Sequence, residues 1–317
     1  MNTLPLLIIG FIRVEGIKKL LKSIQSHQVS KIYLAVDGPR SVADLDSQVD
    51  IIRLVTEFAE YHGLPVSIWH RKSNLGIAVS IITALDWFFE SESFGVILED
   101  DLLLGEDLIP FVLKSRVLID TNPQVMMVSG NQFFPDSSST EIMATHYPQI
   151  WGWATTSEKW QILRCGLLTQ DRINLSDFLT PRRSFWAIGA RRALAGQIDT
   201  WDIPIARFMI STSKICLIPP CNLVSNIGFD EHASHTISNA FPLDVPTAKL
   251  NSEKLKFVIP PYSEIRKYDL NLEKNVFFIS PKRILSLPWG LLRSLKAKGL
   301  NNLQHRLANF ESSSLKH

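Results

Sequence analysis

The chain has 317 residues, 45% hydrophobic and 20% charged, a make-up that can bury a large core and that excludes a disordered chain or a repeat array. Its 33 Lys and Arg against 31 Asp and Glu leave a net charge of +2, which excludes the basic surface of a general nucleic-acid binder and confines any phosphate contact to a local site. The three cysteines, Cys165, Cys216 and Cys221, form no CxxC pair, which argues against a disulfide framework or structural zinc and for a reducing, cytoplasmic setting.

The apolar opening from Leu4 to Ile12 is too short to span a bilayer, has no basic region ahead of it and meets Arg13 without a small-residue cleavage site. It reads as a buried strand, centred on Leu6 to Phe11, and Glu15 to Ser26 follows with helical spacing at Ile17, Leu20, Leu21 and Ile24. Strand and helix then alternate: a strand over Lys31 to Val36, a helix over Val49 to Tyr61, a strand over Val66 to His70, a helix over Ile77 to Phe89 and a strand over Phe94 to Leu98. This order predicts an α/β protein with a Rossmann-like, mostly parallel central sheet flanked by helices. Ligands of such sheets sit beyond the carboxyl ends of the strands, which here carry Arg13, Asp37, Arg71 with Asn74, and Glu99-Asp100-Asp101.

After about residue 105 the alternation weakens. A helix over Asp107 to Asp120 and a strand over Val125 to Ser129 lead into a Ser- and Pro-containing loop from Pro135 to Thr140. We therefore expect a ligand-binding half over residues 1–105, a less regular half over 106–253 and a C-terminal extension over 254–317. The extension closes with a basic amphipathic stretch, Ile284 to Phe310, in which Leu285, Leu287, Trp289, Leu291, Leu292 and Leu295 alternate with Arg293, Lys296 and Lys298. Such a tail fits peripheral membrane contact or, the favoured reading, a helix docked on the protein.

Glu99-Asp100-Asp101 is the sharpest chemical feature. Three successive carboxylates at the end of a buried strand repel one another and need a compensating cation, for which Mg²⁺ or Mn²⁺ is the economical choice among hard-oxygen sites. The alternative is a solvated acidic turn. The triplet resembles the DxD-type motif of GT-A glycosyltransferases, in the Glu-Asp-Asp form of inverting N-acetylglucosaminyltransferases and their bacterial relatives. Arg71-Lys72-Ser73-Asn74-Leu75-Gly76 is similar to the Asn-x-Gly element that precedes the metal-site strand in that family. Trp151-Gly152-Trp153-Ala154-Thr155, with Trp160, resembles its aromatic segment, and Asn222 to Phe229 followed by His232 and His235 resembles its closing block. The matches run in family order from about Leu6 to Thr236.

The resemblance implies a nucleoside diphosphate sugar as donor, a UDP-sugar first among the choices, with transfer to a hydroxyl of a polysaccharide or lipid-linked glycan. Asp101 would ligate the metal, and Glu99 and Asp100 would contact ribose or the donor sugar. Asp37 would contact base or ribose, unless it serves only as a turn-forming Asp-Gly. Arg13 and Arg71 are candidates for the diphosphate, whose oxygens a guanidinium fork fits. Asn74 and Gly76 would let the backbone pass close to the nucleotide, or mark an ordinary turn. His235 would complete the metal shell or touch the diphosphate, with His232 as the alternative.

Transfer with inversion needs a general base, and Asp202 in Thr200-Trp201-Asp202 is the candidate; it could equally cap a helix over Ile203 to Ile210. Asp199 and Asp230 are spare carboxylates. Trp151 and Trp153 would stack on a sugar ring, or pack in the core. The chain departs from the family in carrying Thr156-Ser157 where relatives have Trp-Arg, and Asp230-Glu231 where Gly-Glu or Gly-Asp is usual. Two other readings stand beside the transferase. A sugar nucleotidyltransferase would open with a Gly-rich loop and lysine where this chain has Phe11-Ile12-Arg13-Val14-Glu15, and a non-catalytic sugar-nucleotide or glycan-binding module would not need the acidic triplet.

Overall fold

A computed structural model describes residues 3–136, 138–169, 177, 179–228, 245–251, 253–279 and 302–314. The protein is α/β. Strands β1 (Leu4–Gly10), β2 (Val29–Val36), β3 (Val66–His70) and β4 (Phe94–Glu99) alternate with helices α1 (Val14–Ser23), α2 (Val42–His62) and α3 (Ile77–Ser91). These strands pair in parallel in the order β3-β2-β1-β4.

The second half continues with β5 (Leu102–Leu104), α4 (Leu108–Thr121), β6 (Val125–Ser129), β7 (Met143–Thr145), β8 (Trp153–Thr156), α5 (Ser157–Leu168), α6 (Pro181–Leu194), α7 (Asp202–Ser211), β9 (Ile215–Ile218) and β10 (Val224–Asn226). Strand β8 runs antiparallel between β4 and β6, β9 lies parallel to β6, and β7 closes the far edge, so one eight-stranded sheet runs through the molecule. Its mixed second half is the part that the sequence did not predict: β7, β8 and β9 are three or four residues long, too short to show a period of two. A separate two-stranded ribbon pairs β5 with β10. Helices α8 (Tyr262–Asn275) and α9 (Asn302–Ser314) complete the described chain.

The pleat decides what each face of the sheet meets. In β1, Leu4, Leu6 and Ile8 point to one core cluster with Ile17 and Leu20 of α1 and Ile51 and Val55 of α2, whereas Leu7 and Ile9 point to a second, with α3, α5, α6 and α7. Each fully buried Leu or Ile contributes about 1.5–3 kcal/mol of transfer free energy, so these doubly covered strands are the stable frame. Helix α2 starts seven residues earlier than its apolar period indicates because Ser41 caps it, its hydroxyl accepting the Asp44 N–H at 3.1 Å, while Val42, Leu45 and Val49 face solvent and hide the pattern. Helix α3 is buried on nearly every side, between the sheet, α5 and α9.

The tail expectation is met in part. Leu303 and Leu307 of α9 are buried against the second cluster, Phe310 meets the Trp69 ring, and Glu311 pairs with Arg164 at 2.8 Å, so this stretch is docked on the protein. Residues 284–301, which carry most of the basic amphipathic pattern, lie outside the described residues. Among the described residues no helix is long and apolar enough to cross a membrane.

Candidate active site

Strand β1 lies between β2 and β4, and the chain leaves β1 toward β2 but reaches β4 only after β3 and α3. The carboxyl ends of β1 and β4 therefore flank a topological switch point, the crevice where open α/β sheets take ligands. Arg13 follows β1 there and Glu99-Asp100-Asp101 ends β4.

The three acids have different surroundings, and the pleat is the reason. Ile97 faces the α3 and α7 side, so Glu99, two residues on, faces it too, and Asp100 turns to the α1 side. Asp100 is buried: one carboxylate oxygen accepts the Phe11 N–H at 3.0 Å and the other accepts from Arg13 at 3.1 Å. Burial raises its pKa, and Arg13 opposes the rise. Both its oxygens thus hold the loop after β1. Asp101 is half-buried and accepts from the same Arg13 nitrogen at 2.9 Å.

Glu99 is half-buried and sits within reach of the charges of Asp101, Asp100 and Asp202. Burial first, and then those carboxylates in that order, push its pKa well above the usual carboxylate range. The Asp202 charge thus bears on Glu99 although the two are far apart in sequence. Asp202 opens α7, with Trp201 at the N-cap, and it accepts a short hydrogen bond from the Thr200 hydroxyl.

Gly228 closes the site from the other side. The Ile227 N–H donates to the Asp101 carbonyl at 2.8 Å, the Asn226 side chain accepts the Gly228 N–H at 2.7 Å, and a Cβ on Gly228 would overlap the Asp101 carboxylate. The β5–β10 ribbon brings Gly228 here, since β5 begins directly after Asp101. His232 and His235 follow Gly228 but lie outside the described residues.

The residues expected to touch the nucleotide from β2 and β3 make internal contacts. Asp37 accepts the N–H groups of Gly38, Leu75 and Gly76 at 2.9 to 3.2 Å, so its carboxylate holds the loop ahead of α3. Burial raises its pKa against the pull of those N–H groups. Arg71 is 5% exposed, donates to the Ser80 hydroxyl and carbonyl and the Thr83 hydroxyl, and lies over the Trp69 ring at 4.1 Å. Burial lowers its pKa to about 10. A guanidinium so enclosed ties β3 to α3.

Asn74 is exposed and donates to the Gly38 carbonyl at 3.0 Å, and Gly76 has φ +76° at the N-cap of α3, a conformation that favours glycine. Trp153 is 1% exposed and stacks on Trp201 with ring centroids 5.7 Å apart, so the core takes it and no face is left for a sugar. Trp151 is half-buried, set edge-on to Phe133 at 5.5 Å.

Two contributors escaped the sequence reading. Asp199, seen there only as a spare carboxylate, accepts the Ile77 and Ala78 N–H groups at 2.8 and 3.4 Å. Arg306 of α9 pairs with Asp199 at 3.1 Å. Neither sits in a motif; Arg306 falls within the amphipathic stretch Ile284 to Phe310, which suggested a docked helix without saying where it docks.

A divalent ion is implied by the acidic triplet. Among the described residues no three His, Cys, Asp or Glu side chains gather as a metal-holding group. The donors present are carboxylate oxygens of Asp101 and Glu99, with Arg13 alongside. That set fits an ion that shares its shell with ligand phosphates and water, the usual arrangement for Mg²⁺, and does not fit a cage made by the protein alone.

No family model and no curated protein matches the chain. Among solved structures, a chain named as a glucose-1-phosphate thymidylyltransferase from Bacillus anthracis, in complex with sucrose, aligns with TM-score 0.39 and 10% identity over 71% of this chain and 89% of that one. GalNAc-T7 with UDP, GalNAc and Mn²⁺ aligns with TM-score 0.44 and 12% identity over 98% of this chain, which spans 58% of that one. Likenesses this distant assign neither family nor reaction.

Proposed function

We propose that the chain is a glycosyltransferase with a GT-A-type site, moving a sugar from a nucleoside diphosphate sugar to a hydroxyl of a glycan or lipid-linked acceptor. The observation that carries this reading is the placement of Arg13, bonded to Asp100 and Asp101, at the switch point of the sheet, with Gly228 packed against Asp101. A site with several carboxylates and one guanidinium suits a ligand that brings both phosphates and hydroxyls.

In this reading Asp101, with Glu99 near it, holds Mn²⁺ or Mg²⁺. The ion, when bound, neutralises charge on the leaving diphosphate. Arg13, one terminal nitrogen of which already donates to both Asp100 and Asp101, turns its guanidinium to phosphate oxygens. Glu99 contacts ribose or the donor sugar through its carboxyl group. Asp202 accepts the proton of the acceptor hydroxyl as its oxygen bonds to the anomeric carbon and the bond to the diphosphate breaks, its electron pair leaving with the phosphate. Attack from the face opposite the leaving group inverts configuration. Trp151 is the remaining aromatic candidate on the acceptor side. His235 is proposed for the metal shell or diphosphate, since the chain enters its segment from Gly228, against Asp101.

The test is thermal unfolding with UDP, GDP, CDP and dTDP, each with and without Mn²⁺, on the wild type and on Asp101→Ala. One nucleotide at 100 times its Kd stabilises the wild type by about 2.7 kcal/mol, in the presence of Mn²⁺, and Asp101→Ala loses that shift while unfolding near the wild-type temperature. Absence of any shift across the panel sinks the transferase reading.

A further inference from the structure

The loop that opens α3 is held from two directions. From the sheet, Asp37 takes the Leu75 and Gly76 N–H groups; from the other side, Asp199 takes those of Ile77 and Ala78. Arg306 joins this second clamp. One of its terminal nitrogens donates to Asp199 at 3.1 Å and the other makes a short hydrogen bond to the Leu75 carbonyl, so one guanidinium ties loop and clamp together. A Cβ on Gly76 would overlap both Asp199 and Arg306, which shows how closely the three are packed.

Asp199 also begins the segment that ends in Asp202. Thr200 is buried and bonds the Asp202 carboxylate, and Trp201 is fixed against Trp153. A shift of Asp199 therefore moves a short, tightly seated segment that ends at Asp202, whose charge bears on Glu99. Helix α9 reaches the same region a second time, where Phe310 meets Trp69, the ring beneath Arg71.

We propose that Arg306 is a positioning residue of the candidate site: from α9 it sets loop 74–77 and segment 199–202 relative to each other, so that the docked tail governs the placement of the site. The link to catalysis rests on the reading of Asp202 and of the switch-point crevice given above. The Arg306–Asp199 pair is more than a third exposed on the aspartate side, and such pairs add little to global stability. Its effect is geometric. A guanidinium serves two acceptors in a fixed fork, which a lysine cannot do.

Hydrogen exchange on the full chain tests this without any ligand, comparing wild type, Arg306→Gln, Arg306→Lys and Glu311→Gln, the last of which breaks a different contact of the same helix. In Arg306→Gln the amides of residues 75–78 and 200–202 exchange about ten-fold faster, in Arg306→Lys less so, and in Glu311→Gln they match the wild type. Unchanged exchange in Arg306→Gln, or equal acceleration in Glu311→Gln, overturns the proposal. The affinity for UDP with Mn²⁺ tests the link to the site: a weakening of about ten-fold, or 1.4 kcal/mol, in Arg306→Gln but not in Glu311→Gln supports it. A loosened loop with unchanged UDP affinity overturns the positioning role. Failure of the wild type to bind any nucleotide of the panel sinks the transferase reading and with it that role, while the exchange result still reports on the clamp.

Discussion

Gly228 stands where the site has no room for a side chain, since a methyl group there would overlap the Asp101 carboxylate. Gly228→Ala should therefore displace Asp101 while the core, which it does not touch, stays intact. The expected result is a loss of Mn²⁺-dependent nucleotide stabilisation of at least about 1.4 kcal/mol, a factor of ten in affinity, with little change in the unfolding temperature without ligand. Equal nucleotide affinity in the variant would place the ligand elsewhere. Arg71 and Asp37 teach the complementary lesson: residue types that suit phosphate or ribose also suit a buried arginine fork and an acceptor for loop N–H groups, and only their partners decide between the two uses.

At the scale of elements, the loop between β3 and α3 gathers most of the internal hydrogen bonding at the mouth of the site. Asp37→Asn exchanges one accepting oxygen for a donor that faces N–H groups, leaving buried donors without partners. Loss of about 1–3 kcal/mol in urea unfolding is expected, with weaker nucleotide binding as the loop loosens. A variant as stable as the wild type would mean that the loop repacks without Asp37. The β5–β10 ribbon works at the same scale. Its antiparallel register, Asn226 opposite Leu102, is what returns the chain from the second half of the molecule to the acidic end of β4.

Across the whole molecule, a buried ionic network fastens α8 to the second half of the sheet. Asp269 is fully buried, accepting from the Thr145 hydroxyl and the His146 backbone and pairing with the His146 ring at 2.7 Å and Arg182 at 3.0 Å. Glu273 on the same helix binds Tyr147, Arg182 and Arg266. Removing one member of such a network strands the charge of its partner, so Asp269→Ala should cost about 3–5 kcal/mol in urea unfolding. Asp101→Ala should cost far less, because Arg13 keeps Asp100 as its partner. Comparable losses in the two variants would make Asp101 a structural residue rather than a ligand-binding one.

The sequence by itself determined the order of the first half of the protein, β1 through β4 with their helices, except for the first two turns of α2, because doubly covered strands and amphipathic helices announce their period in the residues. It also determined where polar residues would collect, since a parallel order fixes which strand ends face the crevice. Tertiary structure alone decided the rest. Strands β7, β8 and β9 are specified by their neighbours in the sheet rather than by their own pattern. The closing of Gly228 on Asp101, the enclosure of Arg71 and the burial of Trp153 each depend on which elements pack together. So does the reach of Arg306 from the C-terminal helix to the loop before α3. Contacts between residues far apart in the chain leave no local period in the sequence, and the side chains that make them take their roles only when the fold brings their partners near.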